Sequence, residues 1–256
     1  MEDVKLELIE IITHCCDVKT FRFELKNEIP YKPGQYLIFT LNINGKDIPK
    51  AFSISSSPTE KGYIEFTKKL TDSDYSKALD QLTVGSKYAV RLPLGKFTFQ
   101  GEHHKVAFLS GGIGVTPIRS IFKYATDKGL SSDIILLYSS RTPEYLTFRN
   151  DFALMQKTNK NLKIVYTLTN CSEKVEGCHI GTIDDHLVKL EISDYPERIF
   201  YICGPPGMVS ALRTMLIGKL SNSCISFTLT VFMDTLESIS RKTYRPVPNF
   251  HPKLHQ

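Results

Sequence analysis

The chain has 256 residues, enough for two domains of ordinary size. Its 41% apolar and 23% charged residues are those of a globular protein, and no apolar run approaches the ~20 residues of a membrane span. The net charge of +5 is spread along the chain without a basic, aromatic-interleaved cluster, which argues against nucleic-acid binding.

The start, Met1-Glu2-Asp3-Val4-Lys5, lacks a basic segment followed by an apolar one, so the expectation is a cytoplasmic protein. Six cysteines (Cys15, Cys16, Cys171, Cys178, Cys203 and Cys224) include no Cys-x-x-Cys pair and no iron–sulfur spacing. They are read as reduced thiols. Cys178-His179 and His103-His104 have no partners at a metal-ligand spacing, so no metal site is expected.

The first hundred residues read as strands. Lys19–Leu25, Tyr36–Ile43 and Tyr63–Thr67 alternate with a period of two. Pro33-Gly34, Asn44-Gly45, Lys61-Gly62 and Val84-Gly85 supply the turns, and a short helix is predicted over 74–82 with Ser73 as its N-cap. Short strands with regular turns predict an antiparallel β-barrel.

After Gln100 strands and helices alternate. Strand runs Lys105–Leu109, Ile134–Tyr138, Leu162–Leu168 and Arg198–Cys203 are interleaved with helices over 117–128, 147–157 and 208–220. The last strand is read at Ile225–Val231. This order predicts an α/β domain with a parallel sheet. The division expected is 1–102 for the barrel, 103–232 for the α/β domain, and 233–256 for a C-terminal arm without sustained period.

Three motifs carry chemistry. Gly111-Gly112-Ile113-Gly114-Val115-Thr116-Pro117 lies between a strand and a helix, where glycines let backbone N–H groups approach a pyrophosphate. A simple tight turn is the alternative. Cys203-Gly204-Pro205-Pro206 ends another strand of the same sheet, and ligands of parallel sheets bind outside those carboxyl ends. Cys203 is either a buried small residue or the lining of a nicotinamide corner. Lys50-Ala51-Phe52-Ser53 sets a cation, an aromatic ring and a hydroxyl along one strand. They suit a phosphate, a flat ring and its polar edge, or else form a solvated edge strand.

In this order the motifs resemble the ferredoxin–NADP reductase family, which includes cytochrome b5 reductases and oxygenase reductase components. The resemblance runs from about residue 5 to about residue 220. It implies a two-domain protein, an antiparallel flavin-binding barrel followed by a nicotinamide-dinucleotide α/β domain. Lys50-Ala51-Phe52-Ser53 is similar to the family's Arg-x-Tyr-Ser. By that likeness Lys50 meets the flavin phosphate, Phe52 packs on the flavin, and Ser53 bonds near its reactive edge. Lysine replaces a bidentate arginine fork with a point charge.

Phe66-Thr67-Lys68 resembles the segment along the flavin's other side. Ser73-Asp74-Tyr75-Ser76 resembles the Gly-x-x-Ser that holds the pyrophosphate, with Ser73 in place of glycine. Arg91–Phe97 resembles the turn closing the barrel. In the second domain Gly111, Gly112, Gly114 and Thr116 match the dinucleotide loop, and Cys203, Gly204 and Pro205 match the nicotinamide corner. Ser140 and Arg141 fall where the adenosine ribose is met, which favours NADPH over NADH.

The resemblance therefore implies a reductase that takes hydride from NAD(P)H onto bound FAD and serves a separate acceptor, such as ferredoxin. Ser53 and Cys203 are the residues expected beside the reacting atoms. Alternatives are a free-flavin reductase, or a flavin-binding electron-transfer subunit with a degenerate nicotinamide site. Many relatives place a carboxylate and an aromatic over the flavin after the final strand. Here the nearest carboxylates are Asp234 and Glu237, and the expectation is that the site works without one.

Overall fold

A computed structural model describes residues 2–15, 17–220 and 227–231. Cys16, Cys224, Asp234, Glu237 and the 233–256 arm lie outside the described residues, as do the first two positions of the expected Ile225–Val231 strand.

Six strands form the first sheet: β1 (Glu2–Cys15), β2 (Val18–Glu24), β3 (Tyr36–Ile43), β4 (Lys46–Ser53), β5 (Tyr63–Lys69) and β6 (Lys87–Leu94). Helix α1 (Asp74–Asp80) interrupts them. Their order is β4-β3-β6-β1-β2-β5, all antiparallel, and an Ile54–Phe66 bridge joins the two edges into a barrel. Alternation places Leu37, Phe39, Phe52, Ile54 and Phe66 inside, where an aromatic core forms.

The long strand β1 is absent from the sequence reading. A register shift between Leu8 and Glu10 breaks its period, leaving the consecutive residues Ile9 and Glu10 both exposed.

The second sheet is parallel. It comprises β7 (Lys105–Gly111), β8 (Asp133–Ser140), β9 (Leu162–Leu168), β10 (Cys178–Ile180), β11 (Ile199–Gly204) and β12 (Phe227–Val231). The order β10-β9-β8-β7-β11-β12 puts a topological switch between β7 and its neighbours β8 and β11. Helices α2 (Thr116–Asp127), α3 (Arg149–Thr158), α4 (Asp185–Glu191) and α5 (Pro206–Lys219) connect these strands. Two apolar clusters flank the sheet, one around Phe108, Phe122 and Tyr138, the other around Leu109, Leu137 and Phe200. The short β10 and α4 carried too few periodic residues to be read.

Among the described residues no helix is long and apolar enough to cross a membrane. Among them, too, no group of three His, Cys, Asp or Glu side chains could hold a metal.

Candidate functional site

The two predicted turns of the parallel sheet meet at its carboxyl end. β7 and β11 are hydrogen-bonded neighbours, so Gly111 and Cys203-Gly204 leave the sheet side by side. A Cβ on Gly114 would lie 2.6 Å from the Cys203 carbonyl oxygen and 2.6 Å from the Gly204 Cα. Only glycine allows that approach, because backbone atoms cannot give way. Gly112 (φ +52°) differs: a Cβ there meets nothing within 4 Å, so it faces open space. A short 3-10 turn, Gly112–Val115, then leads into α2, where Thr116 Oγ1 donates to the Ile113 carbonyl at 2.7 Å.

Beside these turns lies a cavity of about 690 Å³. Of the residues predicted from sequence, Gly111, Gly112, Ser140, Arg141 and Pro205 line it. Ser140 Oγ is buried and has no hydrogen-bond partner among the described residues, and Arg141 beside it is exposed. Gly114, Thr116, Cys203 and Gly204 stand behind the lining instead. Cys203 is fully buried in the apolar cluster with Tyr201 and Phe97, and burial pushes its thiol up to about 12. The cavity size falls in the range of small-molecule sites, and an orphaned hydroxyl beside a cation is a donor set for a ribose or phosphate. A nicotinamide dinucleotide fits these residues.

Lining residues that were not read from sequence come from several elements. Val18 and Lys69 reach in from the barrel, and Tyr145, Thr169, Asp185 and Lys219 from the α/β domain. The Lys69 ammonium sits 4.0 Å from the Tyr145 ring centroid and 3.3 Å from Asp17. No local pattern marks Lys69, whose position depends on the packing of two distant segments.

The barrel motifs converge on the seam between β4 and β5. Lys50 Nζ lies 5.1 Å from the Tyr75 ring centroid, and the Tyr75 hydroxyl donates to the Phe39 carbonyl. Ser73 caps α1 by accepting from Ser76 N–H, and Thr71, Ser73 and Ser76 hydroxyls bond to one another at 3.1–3.2 Å. Thr67 Oγ1 donates to Ser55 Oγ and shares a bond with Thr20. Ser53 is 5% exposed, Ala51 and Lys68 half-buried.

An ammonium and three hydroxyls suit a phosphorylated cofactor tail. The ring end differs from what the resemblance implies. Phe52 is 2% exposed and stacks on Phe66, so a flat ring reaches only its remaining edge unless the side chain turns outward.

Comparison with known proteins accords with this layout. Residues 5–99 match the oxidoreductase FAD-binding domain family, and residues 108–214 match the oxidoreductase NAD-binding domain family. The glycine betaine monooxygenase reductase subunit of Pseudomonas aeruginosa is 30% identical over 217 residues, covering 82% of this chain. The chain spans about three fifths (59%) of that protein's length. The cytochrome b5 reductase domain of Ulva prolifera nitrate reductase superposes with a TM-score of 0.79 at 21% identity, covering 90% of this chain and 97% of that one. A ferredoxin NADP+ reductase from Neisseria gonorrhoeae, with bound FAD and NADP, superposes with a TM-score of 0.76 at 17% identity, covering 91% and 100%.

Proposed function

This chain belongs to the oxidoreductases that join an FAD-binding domain to an NAD-binding domain, and we propose that it takes hydride from NAD(P)H onto bound FAD and passes the electrons to a separate protein acceptor, such as a ferredoxin. The observation that carries this reading is the cavity at the carboxyl ends of β7, β8 and β11. It is lined by both glycine-bearing turns and by Lys69 and Val18 of the barrel, so a dinucleotide held there faces the flavin domain.

When bound, FAD accepts two electrons as hydride and releases them singly, which suits one-electron acceptors. The protein's own residues bind and align. The Gly111–Ile113 stretch, which lines the cavity, would offer its backbone N–H groups to the pyrophosphate, with Gly114 and Thr116 shaping the turn behind it. Ser140 and Arg141 take the adenosine ribose, and a 2′-phosphate there favours NADPH. Lys50, Ser73, Tyr75 and Ser76 hold the flavin's phosphate end, Ser53 and Lys68 border its ring, and the stacked Phe52–Phe66 pair, with Thr67 beside it, backs that wall from the barrel core.

Cys203, with Gly204 and Pro205, backs the nicotinamide. Burial keeps its thiol protonated, so it shapes and polarises the pocket and does not accept a proton. The same reading places the protein in a cytoplasmic setting, with its cysteines reduced. A domain division at residue 102 belongs to the same reading.

An absorption spectrum of the purified protein, followed by anaerobic titration with NADH and NADPH, tests this. Flavin bands that bleach on titration support the proposal. A protein without retained flavin that still reduces added flavin is the free-flavin reductase of the alternative reading. Flavin that neither nucleotide bleaches leaves only an electron-transfer subunit.

A further inference from the structure

Arg119 lies one turn into α2, the helix that begins at the dinucleotide loop, and is 8% exposed. Within its own domain, Arg119 Nε donates to Asp151 Oδ2 of α3 at 3.0 Å. Across to the barrel, its Nη1 and Nη2 both donate to the Glu60 carboxylate, and Nη1 also donates to the Ser55 carbonyl at 3.1 Å. Asp151 thus fixes the plane of the guanidinium while the fork engages the other domain.

The contact joins the two motifs themselves. Ser55 follows Ser53 by two residues, and Arg119 follows Thr116 by three. The next residue repeats the bond, Ser120 Oγ donating to the Ser56 carbonyl at 2.6 Å. Thr59 Oγ1 donates to Asp127 at the far end of α2. At Gly34 a Cβ would lie 2.2 Å from the Phe97 carbonyl and 3.0 Å from Ile121 Cδ1 of α2, so the barrel backbone presses on the same helix.

Phe148 closes the seam from the other side. Its ring lies 5.8 Å from the Arg119 guanidinium and edge-on to His14 of the barrel at 5.1 Å. It sits in the left-handed region (φ +65°), a conformation costly to a bulky residue and held only where packing over-determines it. Burying several charges is a poor route to mere cohesion, because an apolar seam of similar volume holds at least as well. What the ionic seam adds is a fixed register.

Resting on the function proposed above, we propose that Arg119 is a positioning residue: it sets the dinucleotide loop at its working distance from the flavin-bearing strand, so that hydride transfer depends on its fork.

Arg119→Lys keeps the charge and removes the fork. In the cofactor-free protein, hydrogen–deuterium exchange is expected to rise at residues 55–60 while the barrel strands keep their protection. Flavin content and equilibrium binding of NADP+ are expected to stay unchanged. Stopped-flow flavin reduction is expected to fall about 100-fold, as for a displacement of about an ångström, with KM little altered and the nicotinamide–flavin charge-transfer absorbance weakened.

Unaltered exchange and rate in Arg119→Lys overturn the proposal. So does a variant that loses flavin or NADP+ binding in parallel with rate, which marks a general structural staple. Wild-type protein whose flavin neither nucleotide reduces overturns the underlying function, and the positioning role with it.

Discussion

Phe52 lies face to face on Phe66, with ring centroids 4.6 Å apart and planes 11° from parallel. The pair fills the seam between the barrel's two edge strands, beside the Ile54–Phe66 bridge. A residue that the family resemblance assigns to a ligand is therefore also a core residue of the barrel. Phe52→Ala is expected to lower barrel stability by about 3–5 kcal/mol, the usual cost of removing a buried phenyl ring. Denaturant unfolding measures it. A change below about 1 kcal/mol, typical of surface sites, means that the ring turns outward in solution.

Lys50, two residues earlier on the same strand, should behave oppositely. Its ammonium lies over the Tyr75 ring, 5.1 Å from the centroid, and its side chain is half-buried where that of Phe52 is fully enclosed. A charge-assisted contact with a flavin phosphate contributes roughly 1.5–3 kcal/mol. Lys50→Glu is expected to weaken flavin retention at least tenfold while leaving the unfolding midpoint nearly unchanged. The absorbance ratio of flavin to protein after gel filtration reads the first, and a thermal melt reads the second. Full flavin occupancy in the variant removes Lys50 from the site.

The contrast between these residues shows what the chain reveals before folding. Alternation in β2, β3 and β5, the Ser73 cap, and glycines beside strand ends are local features, and all were legible. The β7–β11 pairing that brings Gly114 against Cys203 follows from the parallel order. The Arg119–Glu60 contact does not: the residues are 59 apart, each with an ordinary surface residue's appearance. Lys69 escapes notice for the same reason. The bulge at Leu8–Glu10 hides β1, because one extra residue moves every later side chain to the other face.

Arg141 has the sharpest specificity consequence. It is exposed, lines the cavity, and has no ion pair among the described residues, while Ser140 Oγ beside it lacks a partner. A 2′-phosphate would satisfy both groups. Arg141→Ala is expected to raise the KM for NADPH about tenfold or more, in line with loss of one charge-assisted hydrogen bond, and to leave the KM for NADH nearly unaltered. Steady-state kinetics with both nucleotides decides. Equal losses with the two place Arg141 on a group they share.

The acid response of the domain seam follows from two carboxylates that move in opposite directions. Burial raises the Glu60 carboxyl, but hydrogen bonds and charge from Arg119 more than offset this, so its titration lies below the ordinary range. Its stabilising contribution is present above about pH 4.5 and is lost as pH falls through its lowered value. Burial raises Glu65 above that range despite Arg119 and Arg22, so its contribution is fullest at low pH and is lost as pH rises through the raised value. Glu60→Gln should flatten the acid limb of a melting-temperature profile measured from pH 3 to 8. Glu65→Gln should reduce the decline on the other side. A Glu60→Gln profile that keeps the wild-type acid limb would show that other carboxylates control it.

Gly112 and Gly114 stand two residues apart in one loop and predict opposite failures. A methyl on Gly114 meets the Cys203 carbonyl oxygen and the Gly204 backbone at 2.6–2.7 Å, so β11 and the loop must separate. Gly114→Ala is expected to destabilise the α/β domain by several kcal/mol, as overpacking against immovable backbone does. A methyl on Gly112 meets no protein atom within 4 Å, and its φ of +52° adds only about 1–2 kcal/mol of backbone strain. That methyl projects into space bordering the cavity, where a bound pyrophosphate would lie. Gly112→Ala should therefore fold, retain flavin, and bind NADP+ much more weakly, as read by equilibrium dialysis. Normal NADP+ binding by a folded Gly112→Ala protein would place the pyrophosphate away from this loop and leave the glycines with a purely structural task.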